Sequence, residues 1–264
     1  MNIPFYKYQG TGNDFILIDH RSKKWISKSQ TQLIRHLCDR RFGIGADGLI
    51  LLEEREDYDF EMVYFNSDGK ESSMCGNGGR CVSAFASYLG IVKDHCRFMA
   101  IDGEHESFIK ADYWVELKMM DVVSVEKGED YFLLNTGSPH YVIFVEDIDD
   151  INVVENGQAI RYSKRFKEEG VNVNFVEPAK NKIIVATYER GVEDETLSCG
   201  TGVTAAAISA YLRDPSENHR EISIETKGGK LLVRLEPNSK NGFKNIWLCG
   251  KAEQVFKGEI KILG

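Results

Sequence analysis

The stretch Tyr64-Phe65-Asn66-Ser67-Asp68-Gly69-Lys70-Glu71-Ser72-Ser73-Met74-Cys75-Gly76-Asn77-Gly78 decides the fold, because the chain carries it twice. The second copy reads Tyr188-Glu189-Arg190-Gly191-Val192-Glu193-Asp194-Glu195-Thr196-Leu197-Ser198-Cys199-Gly200-Thr201-Gly202. Laid over one another without a gap, Tyr64 meets Tyr188, Glu71 meets Glu195 and Ser72 meets Thr196. Cys75 then meets Cys199, Gly76 meets Gly200 and Gly78 meets Gly202. Each Cys-Gly-x-Gly runs on into small and apolar residues that read as a helix, one reaching Tyr88-Leu89 and the other Tyr211-Leu212. Matches at one fixed offset, followed by alike helices, indicate an internal duplication.

Working outward, short strand-like runs alternate with Gly, Asn and Asp turns. They include Phe15–Ile18, Leu49–Leu52, Tyr113–Leu117, Tyr141–Val145 and Lys182–Ala186. Three stretches read as helices. In the first, Leu33, Ile34, Leu37 and Cys38 make one apolar stripe. In the second, Val82, Phe85, Ala86 and Leu89 follow helical spacing. The third, Val203 to Leu212, is apolar nearly all round, so it must be enclosed. The expected fold is α/β of the α+β type. Two pseudo-symmetric halves, residues 1–120 and 121–264, each wrap a mostly antiparallel curved sheet around a central helix. The C-terminal strand can return to the first half.

Composition narrows the function. The chain has 264 residues, 33 Lys+Arg against 41 Asp+Glu, a net charge of −8 and a pI near 5.4. That acidic balance argues against a nucleic-acid protein, and no Lys/Arg run of the membrane-docking kind is present. Met1–Lys7 lacks the apolar stretch of a signal peptide, and no window approaches the apolar length of a membrane span. The expected location is the cytoplasm. Six cysteines in a long, unsignalled chain read as reduced thiols. No Cys-x-x-Cys or His-x-x-x-His pair occurs, so no metal site is expected. Cys38, Cys81, Cys96 and Cys249 read as small buried hydrophobes.

Cys75 and Cys199 read differently. Each sits at or just before a helix N-terminus, where unpaired N–H groups and the helix dipole stabilise an anion and lower a thiol's pKa. The same N–H groups can cradle a ligand carboxylate, and Gly76 and Gly200 allow its close approach. Two halves that each offer a thiol and a carboxylate cradle suit the inversion of a carbon centre. A thiolate removes the Cα proton from one face and a thiol returns one to the other, while the cradles stabilise the enolate-like transition state. No electron-sink cofactor is required.

At these residues the sequence resembles the diaminopimelate epimerase family, over essentially its whole length. The shared motifs are Gly10-Thr11-Gly12-Asn13-Asp14-Phe15, Gly43-Ile44-Gly45-Ala46-Asp47-Gly48, Asn66-Ser67-Asp68-Gly69 and Cys75-Gly76-Asn77-Gly78. Thr136-Gly137-Ser138-Pro139-His140, Asn172-Val173-Asn174-Phe175, Glu189-Arg190-Gly191 and Cys199-Gly200-Thr201-Gly202 complete the set. The resemblance implies interconversion of LL- and meso-diaminopimelate without pyridoxal phosphate, Cys75 and Cys199 being the acid–base pair. It implies that Gly76-Asn77 and Gly200-Thr201 bind the carboxylate of the reacting centre. Asn13, Asn66, Asn172, Glu189 and Arg190 would hold the remaining polar groups, mostly at the distal amino-acid end. It also implies a homodimer. The chain departs from some members, which carry Gln at the position of Gly48 and Asn at that of Ser138. The segment Gly191–Thr196 is one residue longer than the common form.

Rival readings are weaker. Gly43-x-Gly45-x-x-Gly48 spells a dinucleotide fingerprint, but it follows a helix and precedes a strand, the reverse of the required context. A cysteine hydrolase would need a Cys–His pair, with His140 the best partner; a turn-forming or hydrogen-bonded histidine is the simpler reading. A thiol redox protein lacks Cys-x-x-Cys spacing. A non-catalytic amino-acid-binding module would keep its affinity with both thiols replaced by Ser. A racemase of proline or histidine, or a phenazine-type isomerase, is the nearest enzymatic rival.

Overall fold

The computed structural model describes residues 2–214, 220–238 and 242–262. The chain divides into two compact units, Met1–Leu117 with Lys251–Gly264, and Lys118–Gly250.

The first unit begins with strands β1 (Asn2–Gly10) and β2 (Asn13–Asp19), helix α1 (Thr31–Cys38), and strands β3 (Gly48–Glu53) and β4 (Phe60–Asn66). Helix α2 (Gly76–Tyr88) follows, then β5 (His95–Ala100), β6 (Gly103–Ile109) and β7 (Trp114–Lys118). From β1 to β7 the pairings run antiparallel, parallel, antiparallel, parallel, antiparallel, antiparallel. Both parallel steps are the crossovers that carry helices, as a parallel pair requires.

The second unit has β8 (Val125–Lys127), β9 (Tyr131–Asn135), β10 (Pro139–Phe144), α3 (Val153–Arg161), β11 (Asn172–Ala179) and β12 (Lys182–Glu189). After β13 (Asp194–Thr196) come α4 (Gly200–Arg213), β14 (Glu221–Thr226), β15 (Gly229–Pro237) and β16 (Phe243–Lys251). The series β9, β10, β11, β12, β14, β15, β16 repeats the same order of antiparallel and parallel pairings. The duplication read from sequence is therefore a duplication of topology. The last strand, β17 (Glu253–Lys261), pairs antiparallel with β1 and so returns the chain to the first unit.

Each unit wraps its strands around one helix, giving two pseudo-symmetric α+β halves. Helix α4 touches β9, β10, β11, β12, β14 and β15. Its Val203, Ala205, Ala206, Ala207 and Ile208 are fully buried. The alanines keep the helix thin enough for strands to close on every side. Helix α2 is enclosed likewise by β1, β2, β3, β6 and β17, with Cys81, Val82, Phe85 and Ala86 fully buried. Its first turn is glycine-rich because the strands lie close: a Cβ on Gly79 would stand 2.9 Å from Leu117 and Met74 side-chain atoms. The buried hydroxyls of Ser83, Thr204 and Ser209 each donate to the carbonyl four residues back, so none needs water. The interior of strand β3 is apolar (Leu49-Ile50-Leu51-Leu52, all fully buried), as a strand between two neighbours and under helices must be. Cys38 packs in the first unit's core with Ile34 and Leu37, and Cys81, Cys96 and Cys249 are fully buried.

Two local expectations differ. Helix α3 is a fourth helix, not among the three read from sequence. It buries only Val153 and Gly157, so its apolar stripe is thin, but Asn152 caps it by accepting from Glu155 N at 3.2 Å. The strand expected from Tyr113 starts at Trp114, because Asp112 and Tyr113 are left-handed (φ 57° and 61°) and form the preceding turn. Among the described residues no helix is long and apolar enough to cross a membrane.

Candidate active site

In the first unit the site grows from the β1–β2 hairpin and the start of α2. Gly10 pairs with Asn13 across a two-residue loop, Thr11-Gly12, both left-handed (φ 51° and 83°). That tight turn puts Asn13 at the first position of β2. Cys75 is the N-cap of α2, in extended conformation, and its side chain does not cap the helix. Gly79 N instead donates to Cys75 O at 2.7 Å, which sets the first turn. The thiol is partly exposed and Sγ donates to Asn13 Oδ1 at 3.5 Å. Asn77 Nδ2 donates to the same oxygen at 3.3 Å. Gly76, Asn77, Asn13 and Cys75 therefore form one cluster. Asn66 stands at the exposed end of β4, opposite Gly48 of β3 in register. Gly48 has a reason of its own: a Cβ there would lie 2.5 Å from the Tyr64 ring, which fills the space a longer side chain would need.

The cluster is braced by charge. Asn13 Nδ2 donates to Asp47 Oδ2 at 2.6 Å. Arg40 bridges Asp14 and Asp47, donating to both oxygens of Asp14 (2.9 and 2.7 Å) and to Asp47 Oδ1 at 2.7 Å. Buried Lys7 completes the group with Asp14 at 2.8 Å and the Gly45 carbonyl. Burial by itself would raise the Asp14 pKa; the hydrogen bonds from Arg40 and Lys7 outweigh it and hold the carboxyl well below the usual range.

In the second unit Cys199 is the N-cap of α4, again extended and without a side-chain cap, and is 7% exposed. Its Sγ lies 3.5 Å from Thr201 Oγ1. Thr201 Oγ1 lies 2.9 Å from His140 Nε2. His140 is fully buried, and burial, aided by the Arg190 charge, pushes its pKa down to about 3, so the ring is neutral at physiological pH. Asn174 Nδ2 sits 3.0 Å from His140 Nδ1 and also donates to the Tyr141 carbonyl, so Nδ1 is the acceptor and the proton is on Nε2. Nε2–H then donates to Thr201, whose own hydroxyl proton is left to point at Cys199. Asn172 Nδ2 approaches Nε2 only to 3.4 Å and bonds better to Ser138 Oγ at 2.9 Å.

Asn172 and Asn174 share one face of β11 by strand alternation. Asn172 Oδ1 accepts from Arg190 N at 2.8 Å. The Arg190 guanidinium donates to the Glu169 carbonyl at 2.7 Å and to Ser138 Oγ at 3.4 Å. Gly170, left-handed at φ +75°, lies under that side chain, and a Cβ there would be 2.5 Å from Arg190 Cδ. Glu189 ends β12 next to Arg190. Asn172 and Ser138 thus hold Arg190, while Asn174, His140 and Thr201 make a second chain that ends at Cys199. A cavity of about 700 Å³ in this unit is lined by Phe144, Lys182, Tyr211, Arg213 and Glu221 at the other end of α4 and holds none of these residues.

The sequence reading gave no role to Arg80, nor to Asp47 and Asn174, although the last two lie inside the shared motifs. A lone Arg among the buried residues of α2 was a readable sign of an enclosed charge, and the Asn-x-Asn alternation marked two amides on one strand face. Among the described residues no cluster of three or more His, Cys, Asp or Glu side chains could hold a metal ion.

A family model described as diaminopimelate epimerase matches residues 5–125 and 132–255. The diaminopimelate epimerase of Flavobacterium psychrophilum is 51% identical over 257 residues, covering 97% of this chain and 99% of its own. That of Aquifex aeolicus is 38% identical over 274 residues, covering 97% of each. Among solved structures, a phenazine biosynthesis protein of Bacillus anthracis superposes with a TM-score of 0.80 at 13% identity, covering 99% of this chain and 100% of its own. A hydroxyproline epimerase from Agrobacterium vitis gives 0.71 at 13% identity, covering 98% and 92%. At that identity the structural likenesses establish the fold alone.

Proposed function

The chain belongs to the diaminopimelate epimerase family, and from that premise we propose that it interconverts LL- and meso-2,6-diaminopimelate without a cofactor. The observation that carries the reading is the repeated placement of a cysteine as the uncapped N-cap of an enclosed helix, once in each topological repeat.

Inversion at Cα needs a proton removed from one face and one delivered to the other. Cys75 and Cys199 are the groups for it. A thiolate takes the Cα proton, the electron pair delocalises into the carboxylate, and the other thiol donates its S–H to the opposite face. The backbone N–H groups of Gly76-Asn77 and Gly200-Thr201 face no intrahelical acceptor and receive the carboxylate as its charge grows. Asn13, Asn66, Asn172, Glu189 and Arg190 hold the distal amino-acid end. Arg190 suits a carboxylate; Glu189 and the amide carbonyls suit an ammonium. The enzyme acts in the cytoplasm as a homodimer, in synthesis of lysine and peptidoglycan precursors, each half of the duplication working as a domain.

Incubation with LL-diaminopimelate in D₂O tests the reading. The expected result is one deuterium entering Cα with formation of the meso isomer, and loss of epimerisation in Cys75→Ala and in Cys199→Ala. Full turnover in either variant would overturn the two-thiol mechanism. Sedimentation at micromolar concentration checks the dimer.

A further inference from the structure

Arg80 is fully buried and lies one helical turn behind Cys75. A buried guanidinium is costly, so its contacts are informative. Nη2 donates to Asn77 Oδ1 at 2.9 Å and to Thr11 Oγ1 at 3.2 Å, and Nη1 donates to the Gly76 carbonyl at 3.3 Å. Thr11 Oγ1 in turn donates to Asn77 Oδ1 at 3.3 Å.

A guanidinium only donates and a carboxylate only accepts. Arg80 therefore forces Asn77 to turn its carbonyl inward, and its Nδ2 is left to donate to Asn13 Oδ1. At the other end Asp47 forces Asn13 to turn its Nδ2 outward. Both amides are pinned in one orientation by opposite charges, and the group facing Cys75 Sγ is the Asn13 carbonyl. We propose that Arg80 and Asp47 are positioning residues that lock this amide pair, so that Cys75 meets an acceptor and keeps its proton until substrate arrives. The proposal rests on the acid–base role of Cys75 given above.

Other charged and titratable groups stand near Cys75 among the described residues. Asp14 and Arg40 lie behind Asp47, Cys81 is next to Arg80, and Asp102, paired with His105 at 3.2 Å, accepts from Met74 N at 3.3 Å. The bonds from Arg80 and to Asp47 that orient Asn77 and Asn13 do not run through Cys81, Asp102 or His105.

The test is the pH dependence of iodoacetamide alkylation, resolved by peptide mass spectrometry in the intact protein without substrate. Cys38, Cys81 and Cys96 give little background, since burial raises their pKa values. Arg80→Met alone leaves Asn13 held by Asp47, and Asp47→Ala alone leaves Asn77 held by Arg80, so a single variant should change Cys75 only through the charge it removes, slowing it in the first and accelerating it in the second. The double variant Arg80→Met/Asp47→Ala releases both amides, and an N–H then turns toward Cys75. Alkylation of Cys75 at pH 7 should rise roughly tenfold in the double variant, the low end for a hydrogen bond to a charged group. Cys199 should not change in any of them. Because the double variant removes one charge of each sign, a purely electrostatic role would leave its Cys75 profile at the wild-type rate; that result in natively folded protein would overturn the proposal. Should the double variant fail to fold, Arg80→Gln/Asp47→Asn, which keeps side chains of similar size and also removes both charges, carries the test with the same expected and overturning results. Because the readout needs no turnover, its failure is separable from failure of the epimerase reading, which the D₂O experiment reports.

Discussion

Arg80 and Thr204 make the same contact in the two repeated helices: Arg80 Nη1 donates to the Gly76 carbonyl at 3.3 Å and Thr204 Oγ1 to the Gly200 carbonyl at 2.9 Å. Gly76 and Gly200 are equivalent in the repeat, so the duplication has kept the bond and changed the donor. One helix start is backed by a cation, the other by a hydroxyl and, through Thr201, by neutral His140. The units are alike in topology and unlike in electrostatics.

That difference sets a stability contrast. Thr204→Val removes one hydroxyl from a carbonyl that still accepts its helical N–H. It should cost about 1 kcal/mol. Arg80→Met removes donors to three oxygens in a fully buried place and should cost about 3 kcal/mol or more. Urea midpoints of the two variants check this; equal losses would contradict it.

The buried histidine makes stability depend on pH. The folded pKa of His140 is about 3, far below the value of about 6.5 of an unfolded histidine, because burial disfavours its charged form. The unfolded chain thus binds a proton in a window where the folded one does not. The contribution is complete above pH 6.5 and is lost as pH falls toward 3, at about 1.4 kcal/mol per pH unit. Melting temperature should therefore drop between pH 7 and pH 4, and His140→Gln should flatten part of that slope. A variant with the wild-type slope would show that other groups dominate acid unfolding.

Much of this was readable beforehand, and the reasons are local. The duplication shows because Cys75 and Cys199 sit among glycines that only a close-packed helix start demands, and glycine identity survives in sequence. The enclosed α4 shows because an all-apolar helix has no other place to go. Helix α3 hid because it buries so little, although Asn152 and Glu155 announced its start. The wiring around each thiol hid for another reason. Whether Asn13 offers sulfur an oxygen or an N–H depends on Asp47, which reaches it from a loop, and on Arg80, which acts on it through Asn77 from a helix far away in sequence. Residue type fixes what a side chain can donate, while only the fold fixes to whom.

Crowding accounts for the glycine at position 48. Any Cβ at position 48 would meet the Tyr64 ring at 2.5 Å and the Phe65 carbonyl at 2.6 Å. Gly48→Ala should cost about 1–3 kcal/mol by overpacking. Tyr64→Leu, which removes the ring but not the carbonyl, should recover part of that loss in the double variant. Additive losses in a double-mutant cycle would mean that the ring is not what excludes the side chain.

Arg190 is held against Gly170. A Cβ at Gly170 would stand 2.5 Å from Arg190 Cδ and 2.8 Å from Arg161 Cζ, so Gly170→Ala must displace the guanidinium from its bonds to the Glu169 carbonyl and Ser138. If Arg190 holds the distal end of the substrate as proposed, KM for diaminopimelate should rise about tenfold, the equivalent of one weakened charged hydrogen bond, with kcat much less affected. Gly191→Ala is the matched control. Gly191 is also left-handed, at φ +92°, but nothing lies within 4 Å of the Cβ it would gain. It should therefore cost about 1 kcal/mol of backbone strain and leave KM nearly unchanged. Steady-state kinetics on both variants, beside their melting temperatures, separate the two effects. An equal rise in KM for both would trace the loss to loop strain and remove Arg190 from the distal contact.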